Sequence, residues 1–191
     1  RVAAKRMNPT FMNIDADFNK EYYNQGYMPA TMGCRTYLMK NVNGEPGCKG
    51  RGNIAPTTIN LPRIGIQAKG NIEKFFELFQ ERIDLAEEAL MHRYGVLKNL
   101  RVKDLPFVAG QHLMKGAEGL SGEDSIEPIL KQGTWGIGFI GLAETLVALT
   151  GKHHGEDPAS RELGEKIITF LRSNIDRLTE KTRLDRKSVG R

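Results

Sequence analysis

Cys34 stands in the run Met32-Gly33-Cys34-Arg35-Thr36, which has neither helical nor strand period, so its thiol belongs to a loop rather than to an apolar core face. A second cysteine, Cys48, lies in a turn-rich stretch with Gly44, Pro46, Gly47, Gly50 and Gly52 and reads as an incidental thiol. Neither cysteine belongs to a CxxC pair or has a histidine pair near it, which argues against a zinc site, and a disulfide between them has no support. Gly136-Ile137-Gly138-Phe139-Ile140-Gly141 fits the GxGxxG pattern, at a strand-to-helix junction where a dinucleotide fingerprint belongs. That reading also requires a second apolar strand ending in an acidic residue. Gly151-Lys152-His153-His154-Gly155-Glu156-Asp157-Pro158 is polar instead and leads into another helix. Glycines here then serve close backbone approach, and the helix start could receive a substrate phosphate through its free amides. His153-His154 follows a helix end, a position that suits solvent or the helix dipole better than a metal.

The elements that must hold these residues alternate in type. Thr10 to Asp15 reads as a short strand, Thr57 to Leu61 as a strand stopped by Pro62, and Ile64 to Ala68 as another short strand. The clearest helix follows, with Asn71 as N-cap and a stripe of Ile72, Phe75, Phe76, Phe79, Ile83, Ala86, Leu90, Tyr94 and Leu97. Leu105 to Gln132 is a long irregular connection rich in glycine and acidic residues. Thr134 to Ile140 has the composition of a buried strand, and Gly141 opens a helix to about Thr150. A last helix begins with Asp157 as N-cap and Pro158 in its first turn and buries Leu163, Ile167, Leu171, Ile175 and Leu178. Strands alternating with amphipathic helices predict an α/β architecture.

With 191 residues, the chain is long enough for one ordinary domain, and 39% hydrophobic against 27% charged residues excludes a disordered segment. No apolar run reaches membrane-span length. The formal charge of +5 gathers at one end, in Lys181, Arg183, Arg186, Lys187 and Arg191 against Asp185. The rest is close to neutral and the basic end has no aromatic interleaving, so nucleic acid is not the expected partner. Residues 184–191 read as adapter or vector sequence, and the abrupt Arg1-Val2-Ala3-Ala4-Lys5 start as a missing N-terminus.

Two blocks, Met32-Gly33-Cys34-Arg35-Thr36 and Gly50-Arg51-Gly52-Asn53-Ile54-Ala55-Pro56-Thr57-Thr58-Ile59-Asn60-Leu61-Pro62-Arg63, resemble the anaerobic (class III) ribonucleotide reductases. Gly133-Thr134-Trp135-Gly136-Ile137-Gly138-Phe139-Ile140-Gly141-Leu142-Ala143-Glu144, continuing into Gly151 to Glu156, is similar to a later block of that family. The blocks occur in the family's order, and the likeness covers about residues 1–180. It implies an internal fragment, with 1–180 a partial catalytic barrel domain, incomplete at both ends, and 181–191 a divergent basic tail. The implied fold is part of the ten-stranded α/β barrel of glycyl radical enzymes and ribonucleotide reductases, whose central finger loop carries a cysteine.

By that resemblance Cys34 is the thiyl radical residue and Asn53, at the GRxN position, contacts the ribose hydroxyls. Met32, Gly33, Gly136 and Gly138 are weaker candidates for contact with substrate. Chemistry agrees with the assignment: a thiol gives up a hydrogen atom more readily than any other common side chain, and an amide donates and accepts while staying neutral. Arg35 and Arg51 stay outside the catalytic set, since an arginine in a Gly-rich turn is often a fork to backbone carbonyls. The implied reaction reduces ribonucleoside triphosphates with formate as reductant, and the fragment alone is expected to be inactive and prone to aggregate.

By the same resemblance the glycyl radical, a zinc site and allosteric ATP or dATP sites are expected in regions outside this sequence. The implied partners are an iron–sulfur, S-adenosylmethionine-dependent activating enzyme and a second copy in a homodimer, in the cytoplasm, with no membrane or nucleic acid. Alternatives are a NAD(P)-binding oxidoreductase using the glycine run, another glycyl radical enzyme on the same barrel, or a non-catalytic nucleotide-binding module.

Overall fold

Two adjacent parallel strands, each running directly into a helix, organise the chain. The computed structural model describes residue 5, residues 11–32 and residues 36–185, with the side chains of Met32 and Thr36 excepted. Helix α1 spans Asp17–Asn24, and the short strands β1 (Thr31–Met32) and β2 (Thr36–Tyr37) pair antiparallel. Strand β3 (Asn53–Asn60) leads into α2 (Leu61–Ala68) and then α3 (Ile72–Leu97). After a 3-10 turn at Val102–Asp104 and a long irregular connection come α4 (Glu127–Gln132), β4 (Thr134–Ile140), α5 (Leu142–Thr150) and α6 (Pro158–Thr182). β4 lies parallel to β3, with Thr57 opposite Ile137 and Ile59 opposite Phe139.

One face of this pair carries Ala55, Ile59, Trp135 and Ile137, all buried, and it is covered by helices, chiefly α3. Phe75, Phe79, Ile83 and Leu90 of α3 are almost wholly withdrawn from solvent. Phe76 and Phe79 reach Phe170 of α6 with ring centroids 5.1 and 5.6 Å apart, within the range where aromatic edges and faces attract. Trp135 donates its indole N–H to the Leu130 carbonyl at 3.2 Å, so the largest core side chain is also hydrogen-bonded. Beside it, burial and a 2.7 Å hydrogen bond to Glu127 hold the Tyr94 phenol well above its ordinary range, and it stays a neutral donor.

Helix boundaries follow from capping chemistry. Asn71 accepts from the Lys74 amide at 2.8 Å and Asp157 from the Ser160 amide at 2.8 Å, each satisfying an orphan N–H of a first turn. The Ser160 amide also holds the Asp157 carboxyl below its usual range. A depressed native value makes the cap's contribution complete above the free-aspartate value of about 3.9 and lost as pH falls through the native one. Asp157→Ala is therefore expected to speed amide exchange of residues 159–161 at neutral pH. Asp157→Asn should preserve most of the protection and remove its acid sensitivity.

Several sequence expectations change. Ile64–Ala68 is helix rather than strand: Asn60 caps it by accepting from the Arg63 amide at 3.1 Å, and Pro62 in the first turn presets a helical φ. Its buried residues Leu61, Ile64, Gly65 and Ala68 follow helical spacing, while Ile66 is exposed. Phe11 to Asp15 forms no strand, because Asn13 turns the chain by accepting the Asp15 amide on its side chain and the Ala16 amide on its carbonyl. Thr10 lies outside the described residues.

Strand β3 also begins earlier than Thr57 and runs through Pro56. The Pro56 carbonyl accepts from Arg93 at 3.1 Å rather than from β4, so its missing N–H faces the strand's other edge. The packed body likewise continues past residue 180. α6 ends at Thr182, Leu184 and Asp185 are buried, and the Trp135 amide donates to the Asp185 carbonyl at 2.9 Å in a parallel bridge. Asp185 thereby occupies the start of a third parallel position, on the edge of β4 away from β3.

Candidate functional site

The β1–β2 pairing sets Thr31 opposite Tyr37 and Met32 opposite Thr36, drawing together the two stems that flank residues 33–35. Gly33, Cys34, Arg35 and the Met32 side chain lie outside the described residues, so the Cys34, Gly33 and Met32 assignments stay as the sequence resemblance implies them. Behind the second stem, Leu38 and Met39 are fully buried and the Met39 carbonyl accepts from the Gly47 amide at 2.8 Å, fixing the chain just after the hairpin.

Asn53 starts β3, and simple alternation would turn it to the helix-covered face with Ala55. A register irregularity intervenes: Asn53 pairs with Thr134, while Ala55 pairs with the very next residue, Trp135. Paired residues on neighbouring strands point the same way, so the bulge moves Asn53 to the face of Thr134, Gly136 and Gly138. The Thr134 hydroxyl donates to Asn53 Oδ1 at 3.4 Å, a long bond that matches this side-by-side placement. Among the described residues Asn53 Nδ2 has no hydrogen-bond partner, and the side chain is exposed. One face of the β3–β4 pair thus brings together three of the sequence-predicted positions, Asn53, Gly136 and Gly138.

The same face presents Pro56, Thr58 and Asn60, all exposed, and neither strand carries a charged residue. Neutral donors and acceptors beside small residues form a surface suited to hydroxyl groups, with little electrostatic pull on a charged group.

Arg51 is buried and spread over four carbonyls and one carboxylate. Nε donates to the Gln132 carbonyl at 2.7 Å, Nη1 reaches the carbonyls of Leu38, Lys40 and Gly47 at 2.9, 3.1 and 3.1 Å, and Nη2 meets Asp185 Oδ2 at 2.7 Å. Its donors are taken up by the chain itself, the carbonyl fork expected of an arginine in a Gly-rich turn. Sequence reasoning missed Asp185 and Thr134. Asp185 was hidden in a basic stretch, and Thr134 was read only as the first residue of a strand.

The glycine run does not build a dinucleotide site. β4 leads through α5, a polar turn and α6 before the chain returns beside β4 at Asp185, and no strand of the described residues lies between α5 and α6. Gly141 is left-handed, with φ +75°, and packs against Pro62. His153 and Glu156 interact locally at 3.4 Å on the surface. Cys48 is a half-buried free thiol. Among the described residues no group of His, Cys, Asp and Glu could hold a metal ion, and no helix is long and apolar enough to cross a membrane.

The sequence model of the family described as anaerobic ribonucleoside-triphosphate reductase matches residues 1–187. The chain is 36% identical over 187 residues to the anaerobic ribonucleoside-triphosphate reductase of Escherichia coli K12, covering 94% of this chain and 25% of that protein. Against the enzyme of the same name from bacteriophage T4 it is 34% identical over 190 residues, 94% of this chain and 29% of the relative. It therefore spans about a quarter of the length of these relatives.

Among solved structures, an anaerobic ribonucleotide reductase superposes with a TM-score of 0.58 at 18% identity, over 76% of this chain and 21% of the other. The Thermotoga maritima enzyme with glycerol in the active site gives 0.54 at 16% identity, over 80% and 23%. These likenesses show the fold, a piece of an α/β barrel.

Proposed function

The chain belongs to the anaerobic ribonucleoside-triphosphate reductase family, and on that premise we propose that it supplies the hydrogen-abstracting and sugar-orienting part of a ribonucleotide-reducing active site. The observation that carries this reading is the bulge at the start of β3, which turns the neutral Asn53 amide onto the glycine-bearing face of the parallel pair. Asn53 Nδ2 is the group that donates to a ribose hydroxyl while Thr134 steadies Oδ1. Gly136 and Gly138 keep side chains out of the way of the sugar.

In this reading Cys34 works as a sulfur-centred radical. It takes the hydrogen atom from C3′, forming S–H and leaving the unpaired electron on the sugar. The C2′ hydroxyl then departs as water, taking up one proton that the medium makes good, and formate provides the two electrons and the further proton that the deoxy product requires, being oxidised to carbon dioxide. Finally Cys34 returns its hydrogen atom to C3′ and regains the radical. The unpaired electron comes from a glycyl radical on a segment outside this chain, installed by an iron–sulfur activating enzyme that uses S-adenosylmethionine. Zinc and allosteric nucleotides also bind outside this segment, and the complete protein acts as a cytoplasmic homodimer. The segment alone is inactive.

The test uses the complete protein that contains this segment, activated without oxygen and assayed with each ribonucleoside triphosphate and formate. Asn53→Ala is expected to lower kcat on the order of 100-fold with a much smaller change in nucleotide binding, as loss of a positioning contact does. Unchanged kcat would remove Asn53 from the site. NADH should neither bind nor support turnover.

A further inference from the structure

We infer that Arg51 and Asp185 form a positioning clamp for the reaction, holding the stem of the Cys34 loop in register with the strand that bears Asn53. The inference rests on the reading of Cys34 and Asn53 given above and adds residues that touch neither substrate nor the reacting atoms.

The geometry is unusually complete. Both side chains are withdrawn from solvent, at 0% and 2% exposure, and the Nη2–Oδ2 distance is 2.7 Å. The remaining donors of Arg51 go to four carbonyls on three stretches of chain. Leu38 and Lys40 lie just after β2, so two of these bonds grip the stem that leaves the Cys34 loop. Gly47 belongs to the turn that packs back on Met39. Gln132 precedes β4, where the Thr134 amide donates to the Gly52 carbonyl at 2.8 Å, so Arg51 also fixes how the start of β3 meets the start of β4. Asn53 and Thr134 follow within two residues on their respective strands. Asp185, at the third parallel position, closes the set through its backbone bridge to Trp135 and its carboxylate on Arg51.

Stability is a poor explanation for such a pair. Burying two charges costs about as much as their attraction returns, and well-packed apolar residues of the same volume often serve better. What a planar fork with fixed donors gives, and an apolar pair does not, is a single allowed register for the segments it joins. Hydrogen-atom transfer between sulfur and a ribose carbon needs that register. A displacement of about 1 Å between reacting groups can cost on the order of 100-fold in rate.

The experiment is made in the complete, activated enzyme with Asp185→Asn, Arg51→Lys and, for reference, Cys34→Ala. Asp185→Asn keeps shape and an acceptor oxygen while removing the charge, so it decides the matter if Arg51→Lys fails to fold. Both clamp variants are expected to retain the parent's radical content by electron paramagnetic resonance and its nucleotide Kd. Their kcat should fall on the order of 10-fold for Asp185→Asn and 100-fold for Arg51→Lys, with KM little changed. Unaltered kcat in Asp185→Asn overturns the clamp. So does a fall in kcat that only tracks lost thermal stability, radical content and binding. Activity surviving in Cys34→Ala would instead overturn the underlying reading of the site, whatever the clamp variants do.

Discussion

Cys34→Ala in the complete enzyme is expected to reduce ribonucleotide turnover to background, a loss on the order of 10⁴-fold or more, while nucleotide binding and the glycyl radical persist. The size follows from the role. A group that forms and breaks a bond to the substrate cannot be replaced by better positioning of its neighbours, whereas Asn53, which only orients, can lose far less. Cys34→Ser sharpens the point. Serine matches cysteine in shape and hydrogen bonding, yet its O–H bond is too strong to be broken and remade by a sugar-centred radical, so this variant should be as inactive as alanine. Conversion of labelled ribonucleoside triphosphate under anaerobic conditions reads both. Turnover within tenfold of the parent in either variant would transfer the radical role to another atom. Cys48 is the less suited thiol, because it lies in the turn-rich stretch after the hairpin, outside the blocks that carry the family resemblance.

How much of this was legible in the sequence depended on the range of the interaction concerned. Helices α3 and α6 announce themselves through apolar stripes and the caps Asn71 and Asp157, all settled within a few residues. The stretch 64–68 was misread because Ile64, Ile66 and Ala68 alternate as a strand would, while the signal for helix lay just upstream, in the Asn60 cap and in Pro62, read there only as a stop. The face of Asn53 could not be read at all. Its motif marked the residue, but only pairing with Thr134, far along the chain, creates the bulge that turns it. Asp185 was further still from view: its value comes from Arg51, a partner 134 positions away, and its charged neighbours made it look like part of a solvated end.

The glycine run offers the sharpest test of whether motif or packing explains a residue, and Gly141→Ala is where the two separate. Gly141 ends the β4 turn as the N-cap of α5 with φ +75°, a left-handed conformation costly for any residue with a Cβ. An added Cβ would also come within 2.2 Å of Pro62 Cγ and 2.7 Å of Cδ, atoms of a rigid ring at the start of α2. The turns after β3 and β4 therefore touch at this point, and Gly65 and Thr145 continue the close approach between α2 and α5. Strain of about 1–3 kcal/mol for the backbone and a similar overpacking cost for the clash predict a loss of roughly 2–6 kcal/mol in stability. The double variant with Pro62→Ala should recover the clash but not the backbone cost, so the two changes together should destabilise less than the sum of each alone. Thermal unfolding or protease resistance of the complete protein reads the difference. Strict additivity would mean that the two turns are independent and that glycine is needed at 141 for the backbone alone; a stable Gly141→Ala enzyme that loses only nucleotide affinity would return the residue to ligand binding.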